Sequence, residues 1–571
     1  MTTILLGRKR RNEVCLLLIV LLSLPFAVEA QTPDPYSEEV TIIAPYQPSV
    51  EDANKISFEP HFETPHIEKP SLTYDVHASR IPTSYMPGSL KPASITGEPL
   101  SKLYRNLIKG GVGNYWTSHF ELYSGSLRHK KNRFSVGLKH HFSKGLVKDY
   151  GPSQYSYNNL DVKNTRTFKA HTLTLFAHYN REVHHNYGYL EKDYASSFEM
   201  DSLRQRFQLL NTGMLFKSHY SHKRKLAYYT GLNYRLWNSR FALTEHHLFL
   251  KTGFSYTSHF FDLLDKEVFG VDLRAASFNE VYGKVNHQGL ISAYPYFTLG
   301  MKEYELKVGV GLHQLIASRN CFYVSPEFEL QVQVIPDAMK LYAGVTGGVE
   351  KNTLAMLSAR NPYISPELRP SFSTLPYKAF GGVKGKIGRH MDLLLGLDAG
   401  AMDHKPFFVN VPWQFDTVVI RDDAFEVVYD DVTWFHVHGS LSYHLGAVFE
   451  GRLFGDYYVY TLTRLEEPFH TPEIRAGLEL KYTFREKIAG NLSLLYSGKQ
   501  YTATLNPQTY SLLSSREIDP YVDVSMGVKY HITKPLSLFL NVNNILNNHY
   551  EVYHGFPVQG INFLLGASFA F

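Results

Sequence analysis

The chain closes on the stretch Ile561-Asn562-Phe563-Leu564-Leu565-Gly566-Ala567-Ser568-Phe569-Ala570-Phe571, in which apolar residues recur at every second position. The odd-numbered residues are all apolar, whereas the even-numbered ones are small or polar, with Leu564 as the exception. Side chains on a β-strand alternate between its two faces. The stretch therefore predicts a strand with one apolar face and one polar face.

The same alternation recurs upstream, for example over residues 134–142, 474–484 and 521–530. From about residue 102 it continues in runs of about 9–14 residues, without one convincing helix. An open sheet of that size would leave unpaired edges, and in lipid an unpaired backbone group has no water to bond. We therefore predict an all-β fold, a transmembrane antiparallel β-barrel.

The connections between these runs alternate between short and long, as periplasmic turns and outer loops do in outer-membrane barrels. Short turns are expected near 129–132, 180–183, 222–225, 259–262, 300–303, 335–338, 387–390, 445–448, 484–487 and 531–535. Long connections are expected near 145–164, 190–205, 352–373, 404–430, 500–516 and 546–558. With a first strand near 104–113 and a last one at 560–571, this predicts about 22 strands, give or take two.

The N-terminus has the three parts of a secretory signal. Basic residues Arg8–Arg11 precede an apolar run over 14–28, and Val28-Glu29-Ala30 offers a cleavage site before Gln31. The alternative is a membrane anchor. We predict a signal peptide at 1–30, a proline-rich periplasmic segment at 31–101 and the barrel at 102–571.

Composition excludes several classes of protein. The chain has 40 Tyr and 37 Phe but only 19% charged residues, and a soluble α/β enzyme usually carries more charge. The formal charge of +5 is too small to suggest nucleic-acid binding. After the signal, Cys321 is the only thiol, so no internal disulfide is expected.

The C-terminal region resembles TonB-dependent receptors. The block from Val542 through Asn547 to Tyr550 resembles their penultimate-strand motif, and Gly555-Phe556-Pro557 precedes the last strand as it often does there. The residues from Pro520 to Ser525 resemble the strand before it. The resemblance covers about the last 55 residues. It implies a 22-strand barrel in the cell outer membrane, in contact with its lipid.

The resemblance also implies partners. The aromatic ending, Phe569 and Phe571, looks like the signal read by the barrel assembly machinery. Near the start of the mature chain, Glu39, Val40, Thr41, Ile42, Ile43 and Ala44 resemble a TonB box, the segment that would engage TonB. The alternative is a short extended segment without that role.

One departure from the family keeps two functions open. TonB-dependent receptors carry an N-terminal plug of well over a hundred residues, but only about 70 proline-rich residues lie between the signal and the first strand. The first hypothesis is a receptor-like or porin-like barrel that transports a solute. The second is a non-transporting subunit or scaffold whose N-terminal segment engages periplasmic or lipoprotein partners.

Charged residues on the polar strand faces are candidates to line the lumen, where charge sets selectivity. The candidates are Asp392, Asp398, Arg475, Glu479, Lys481, Asp523 and Lys529. The alternative is that they form hydrogen-bonded networks within the wall.

No catalytic motif and no cofactor signature stands out, so the chain is not expected to be an enzyme. The pairs His140-His141, His184-His185 and His246-His247 point to opposite strand faces and cannot share an ion. We therefore predict no metal site.

Overall fold

The computed structural model describes residues 103–193, 203–219, 225–261, 264–282, 284–415, 418–506, 508–509, 511–513 and 515–571. The expected signal peptide, the proline-rich segment and the TonB-box-like residues lie outside these ranges. Among the described residues, no helix is long and apolar enough to cross a membrane.

The wall of the molecule is one closed sheet of 22 antiparallel strands, as predicted. Its strands are β1 Asn106–Gly113, β2 Thr117–Gly125, β3 Asn132–Ser143, β4 Tyr155–Thr167, β5 His171–His185, β6 Arg204–Ser218, β7 Leu226–Ser239, β8 Thr244–Ser258, β9 Lys266–Tyr282, β10 Lys284–Met301, β11 Tyr304–Ile316, β12 Cys321–Ile335, β13 Met339–Lys351, β14 Phe372–Ile387, β15 Met391–Phe415, β16 Val418–Leu445, β17 Phe449–Leu462, β18 Ile474–Phe484, β19 Ile488–Ser497, β22 Tyr521–His531, β23 Leu536–Asn543 and β26 Asn562–Ala570.

Smaller elements lie between the wall strands. They are a 3-10 turn Glu191–Asp193, helix α1 Leu354–Arg360, and the short strands β20 Gln500–Thr502, β21 Arg516–Ile518, β24 Glu551–Tyr553 and β25 Phe556–Pro557. All of them fall in connections at the same end of the barrel, opposite the tight turns.

The first and last wall strands pair with each other and close the cylinder. Leu107 lies opposite Ala570 and Gly113 opposite Leu564, with seven residue pairs in all. In this seam Gly566 allows close approach, because a Cβ at that position would lie 2.1 Å from the carbonyl oxygen of Gly110. The Phe539 ring fills the space over Gly566 instead.

The two faces of the wall differ as the alternation predicted. Phe563, Leu565 and Phe569 of β26 are 46%, 54% and 46% exposed, whereas Ser568 between them is 6% exposed. Large apolar side chains are exposed in the same alternating way along the other wall strands. Such a band is stable only against lipid, where apolar side chains need no burial by protein. The barrel lies in the outer membrane.

One end carries ten short connections, which the rule for outer-membrane barrels assigns to the periplasm. Nine of them coincide with predicted turns. The turn predicted near 180–183 is wrong: these residues lie inside β5, and the turn falls at 168–170. The polar run there suggested a turn, but Asn180 donates a hydrogen bond to Glu182 within the strand.

The opposite, outer end carries the long connections together with several short ones, and two of the predicted long connections differ from expectation. The connection expected at 145–164 is shorter, because β4 begins at Tyr155. The one expected at 404–430 is a β-hairpin, since β15 and β16 stay paired from Met391 and Tyr443 out to Phe415 and Val418. The hairpin is rich in β-branched and aromatic residues, which favour paired strands.

Candidate functional site

The outer connections pack against one another in a shared apolar core, which we call the outer cap. Its buried residues are Val147, Tyr187, Phe207, Trp237, Leu243, Leu354, Leu357, Ile364, Leu368, Phe408, Phe425, Val427 and Phe556. They come from the connections and outer strand ends of β3–β8, β13–β16 and β23–β26, which are separate parts of the sheet. Residues rooted on well-separated strands reach each other only across the outer opening, so the cap lies over that opening.

Phe556 is the centre of the cap. Its ring stacks on Tyr363 with centroids 3.9 Å apart, and it meets Tyr187 at 5.1 Å and Phe425 at 5.7 Å. These rings belong to three connections and to the β15–β16 hairpin. Phe556 is only 3% exposed, and such aromatic contacts add to the free energy gained by burial. One side chain therefore joins segments from widely spaced parts of the wall.

Helix α1 is tied to the wall by a carboxylate. The backbone N–H of Leu354 donates to Glu245 Oε1 at 2.7 Å, and that of Ala355 donates to Oε2 at 3.2 Å. Thr353 caps the helix, and its side chain accepts from the N–H of Met356. Unpaired N–H groups at a helix start favour an acceptor and a negative charge. Glu245 thus fixes the connection 352–371 to β8.

A buried ion pair holds the base of the same connection. Lys351 Nζ lies 2.8 Å from Glu280 Oε1, and both side chains are at most 2% exposed. The ammonium also donates to Gln288 Oε1 at 2.6 Å and to the carbonyl oxygen of Pro370 at 3.2 Å. Breaking a buried pair by removing one partner typically costs about 3–5 kcal/mol. The cap is therefore anchored by polar as well as apolar contacts.

A third anchor joins the connection 463–473 to the β15–β16 hairpin. The carboxylate of Asp430 is inaccessible to solvent and accepts from the backbone N–H groups of Thr463, Arg464 and Leu465 at 2.9–3.2 Å. A membrane-spanning strand uses about 9–11 residues, so Asp430, fifteen residues from Leu445, lies beyond the spanning part. Burial alone would raise the pKa of Asp430, but the N–H groups of Leu465 and Arg464 hold it below its usual value.

This contact predicts a pH dependence. A carboxyl whose pKa is lowered on folding stabilises the folded form above its unfolded pKa of about 4 and loses that contribution as pH falls through the folded value. We expect pepsin to cut 463–473 increasingly as pH falls from about 4 to about 2. In Asp430→Asn, cleavage of 463–473 should already be fast at the upper end of this pH range and should depend little on pH. An identical pH profile in the variant would contradict the assignment.

Beneath the cap, the wall forms a recess of about 270 Å³ with few charged groups. Its lining is Val147, Ser153, Gln154, Tyr155, Tyr157, His184, His185, Tyr187, Pro362, Tyr363, Asp523, Asn543, Asn544, Tyr550, Val558, Gln559 and Asn562. A neighbouring recess of about 240 Å³ shares Tyr155, Asn543, Gln559 and Asn562 with it. Amides that both donate and accept, beside tyrosine rings, suit a polar solute with apolar surfaces.

Nearer the periplasmic end, the wall strands β12–β17 line a larger cavity of about 1030 Å³. Its charged lining residues are Glu329, Asp337, Lys340, Lys384, Lys386, Asp392, Glu450 and Arg452. Both signs of charge are interspersed. Such a wall favours polar solutes and water without selecting strongly for anions or cations.

Five of the seven predicted lumen residues lie on this side of the wall. Asp392 lines the large cavity, and its carboxylate lies 3.5 Å from His444 Nε2. Asp398 contacts His436 at 3.1 Å. The strand register pairs the other three with opposite charges on β17: Arg475 with Asp456, Glu479 with Arg452 and Lys481 with Glu450. In the last of these pairs, Lys481 Nζ lies 3.3 Å from Glu450 Oε2.

The remaining two lie on β22. Asp523 lines the recess beneath the cap, and its Oδ1 is buried without a hydrogen-bond partner among the described residues. Lys529 lies opposite Ala489 and Phe539, nearer the periplasmic end of that strand. That these seven residues line the path of a solute stays a prediction.

The predicted assembly signal lies at the seam. Phe569 and Phe571 are 46% and 51% exposed on the lipid-facing side, with ring centroids 5.6 Å apart. The backbone of Phe571 donates to the carbonyl of Asn106 at 2.9 Å and accepts from its N–H at 2.8 Å. The last residue thus continues the closing pair of strands. Recognition by the assembly machinery stays a prediction.

Sequence reasoning missed two features. The cap was not foreseen, because its contacts join residues far apart in the chain, such as Tyr187 and Phe556. A pair of histidines two positions apart, His436 and His438, was also missed, although residues i and i+2 of a strand share a face.

No protein-family model matches the sequence, and no curated protein matches it. Solved structures do match. The ferric-catecholate import receptor Fiu from Escherichia coli K12 superposes with a TM-score of 0.60 at 10% identity, over 82% of each chain. The pyoverdine outer-membrane receptor FpvA from Pseudomonas aeruginosa PAO1 gives 0.61 at 11% identity, over 83% of this chain and 79% of that one.

The FrpB iron transporter from Neisseria meningitidis is similar to the same degree, with a TM-score of 0.61 at 11% identity over 83% of this chain and 82% of that one. At such identities the likeness concerns the fold. The chain therefore shares the fold of these receptors, which is the fold that the C-terminal motifs imply.

Proposed function

We propose that this chain is an outer-membrane receptor that admits a solute through a gated lumen. The observation that carries the proposal is the outer cap, which lies over the opening and is held at Phe556, Glu245 and Asp430. A general pore does not need an apolar core over its outer opening. A receptor does, because loops that pack together can open and close around a ligand.

The recess beneath the cap is the part of this site best suited to a ligand. Its tyrosines and amides would contact a polar solute once the cap admits it. The solved neighbours are named as receptors or transporters for iron, ferric catecholates or pyoverdine. Ferric siderophores are therefore the first solutes to test.

Energy for import would come through the N-terminal segment. We assign Glu39–Ala44 as the contact for TonB and residues 31–101 as the periplasmic segment that carries it, after removal of the signal peptide. A strand-like run rich in Val and Ile suits addition to the edge of a partner's sheet.

The test measures binding and accumulation separately, in cells that lack other siderophore receptors. Cells with the intact chain should accumulate radiolabelled iron from a ferric catecholate or a ferric hydroxamate. Deletion of residues 39–44 should lower the accumulation of iron at least tenfold, whereas binding at the cell surface should persist. Deletion of residues 88–93, also in the proline-rich segment, is the matched control and should accumulate normally. Accumulation that survives the first deletion contradicts energised import.

The second candidate is a scaffold subunit whose proline-rich segment before β1 engages periplasmic or lipoprotein partners. A scaffold predicts stable partner subunits after purification in mild detergent, and no accumulation of either iron complex. Large steady currents from the purified chain in a planar bilayer would count against both candidates and favour an open pore.

A further inference from the structure

Three side chains with metal-binding atoms lie side by side on one face of β15 and β16. The strand register sets Asp398 directly opposite His436, and His438 follows two residues later on the same face. One ligand atom from each lies within 4.8 Å of the other two. These are the nitrogen and oxygen donors that transition metals such as zinc accept.

The spacing of the donor atoms fits one ion. Asp398 Oδ2 lies 3.1 Å from His436 Nδ1 and 3.8 Å from His438 Nδ1. In a tetrahedral site with bonds of about 2.0–2.1 Å, neighbouring ligand atoms are roughly 3.4 Å apart. The two observed distances bracket that value.

The ring of His436 is fixed from behind. Its other nitrogen, Nε2, lies 3.1 Å from Asp456 Oδ1, and the ring stacks on Tyr458 with centroids 3.9 Å apart and planes 2° from parallel. Metal-binding histidines commonly donate their second N–H to a carboxylate, which sets the tautomer and the ring orientation. Lys378 Nζ lies 3.4 Å from the second oxygen of Asp398.

His438 adds an independent sign that something is bound. Its Nδ1 is buried and has no hydrogen-bond partner among the described residues. The ring lies over Gly396, where a Cβ would come within 2.3 Å of Nε2, so the ring is held by close packing. A buried polar atom without a partner calls for an ion or a water at that place.

We propose that Asp398, His436 and His438 bind a divalent transition-metal ion of the zinc class, with Asp456 as a positioning residue. The site has three protein ligands, which leaves a fourth position for water or for a group on a solute. Tyr342 lies beside the site, because its Oη is 3.0 Å from the same Cβ position on Gly396, and it also lines the 1030 Å³ cavity. Tyr342 therefore joins the site to this cavity.

The alternative is a proton in place of the metal. A protonated His436 would bridge Asp398 and Asp456 by two charge-assisted hydrogen bonds and would need no ion. That arrangement does not account for His438 Nδ1, which would still lack a partner. Lys378 and Arg475, which lies opposite Asp456, offset the two carboxylates. We therefore expect micromolar affinity, weaker than that of a structural zinc site.

The test uses the detergent-purified mature chain without a histidine tag, after treatment with a chelator. Titration with Co²⁺ should give a saturable visible absorption at one ion per chain, and Zn²⁺ should displace it. His436→Ala and His438→Ala should each lower the affinity at least tenfold. Asp456→Asn should lower the affinity by about 10–100-fold, which is the usual effect of removing a carboxylate that orients a metal-binding histidine.

His444→Ala is the matched control. His444 is on the same strand and the same face, but it lies outside the cluster, with its Nε2 3.5 Å from Asp392. The metal affinity of the His444→Ala variant should equal that of the unaltered chain. All variants should keep heat-modifiable migration on a gel. Absence of stoichiometric binding, or equal loss in the control, overturns the proposal.

One other cluster tests the assignment further. Glu245, His247 and Glu280 also approach each other, but Glu245 is bonded to helix α1 and Glu280 to Lys351. Binding that survives His436→Ala and His438→Ala but disappears in His247→Ala would place the ion there and overturn the proposal.

Discussion

Replacing Phe556 with alanine is expected to raise the rate at which trypsin cuts the connection 352–371 about a hundredfold. Removing a buried Phe side chain typically costs about 3–5 kcal/mol. Phe556 contacts rings from two other connections and from the outer part of the β15–β16 hairpin, so most of that loss falls on the cap and not on the wall. A cost of about 3 kcal/mol corresponds to a hundredfold larger open population, which cleavage follows when opening is fast. The exposed cleavage site is Arg360, because Pro370 prevents trypsin from cutting after Arg369.

Trp116→Ala is the control for this prediction. Trp116 lies in the turn between β1 and β2 at the same end of the barrel and is 77% exposed. Its removal creates no cavity and should leave the cleavage rate unchanged. Equal rates for Phe556→Ala and the unaltered chain would show that the cap does not depend on this ring.

Gly566→Val should prevent closure of the barrel. Any Cβ at this position meets the carbonyl oxygen of Gly110 at 2.1 Å and the Cα of Gly111 at 2.7 Å. Both are backbone atoms, so no side-chain rotation relieves the clash, and the strands must move apart. Because β1 and β26 share only seven residue pairs, we expect at least tenfold less of the fast-migrating folded form on an unheated gel.

Gly110→Ala tests the same seam without the clash. A Cβ at Gly110 has nothing within 4 Å, so this variant should assemble as the unaltered chain does. Normal assembly of Gly566→Val, or failure of both variants, would contradict the described register between β1 and β26.

The wall strands were predictable because one face of each strand contacts lipid and the other faces the lumen, so apolar and polar residues alternate along the chain. In β26 and β22, alternation alone gave the face of nearly every side chain. The pattern failed where both faces are polar, as at 180–183, because Asn180 and Glu182 hydrogen-bond to each other within the strand. It also failed at 404–430, where the β15–β16 hairpin continues and packs in the cap instead of ending in a loop.

The cap and the metal-ligand cluster depend on contacts that sequence spacing does not reveal. Phe556 and Tyr363 are almost two hundred residues apart, and only the folded barrel brings their rings to 3.9 Å. The cluster joins three adjacent strands, β15, β16 and β17, so its register was needed before Asp398 and Asp456 could be assigned to His436. The spacing of His436 and His438 was the one local signal available.

Connections from separate parts of the wall meet over the outer opening. The most direct test places spin labels at Ala359 and Val552, which are exposed and adjacent to the hydrogen bond from Tyr553 Oη to the carbonyl of Arg360. Cys321, the one thiol outside the expected signal peptide, would be replaced by serine. We expect a single narrow distance, much shorter than the width of the barrel. A broad distribution reaching that width would contradict it.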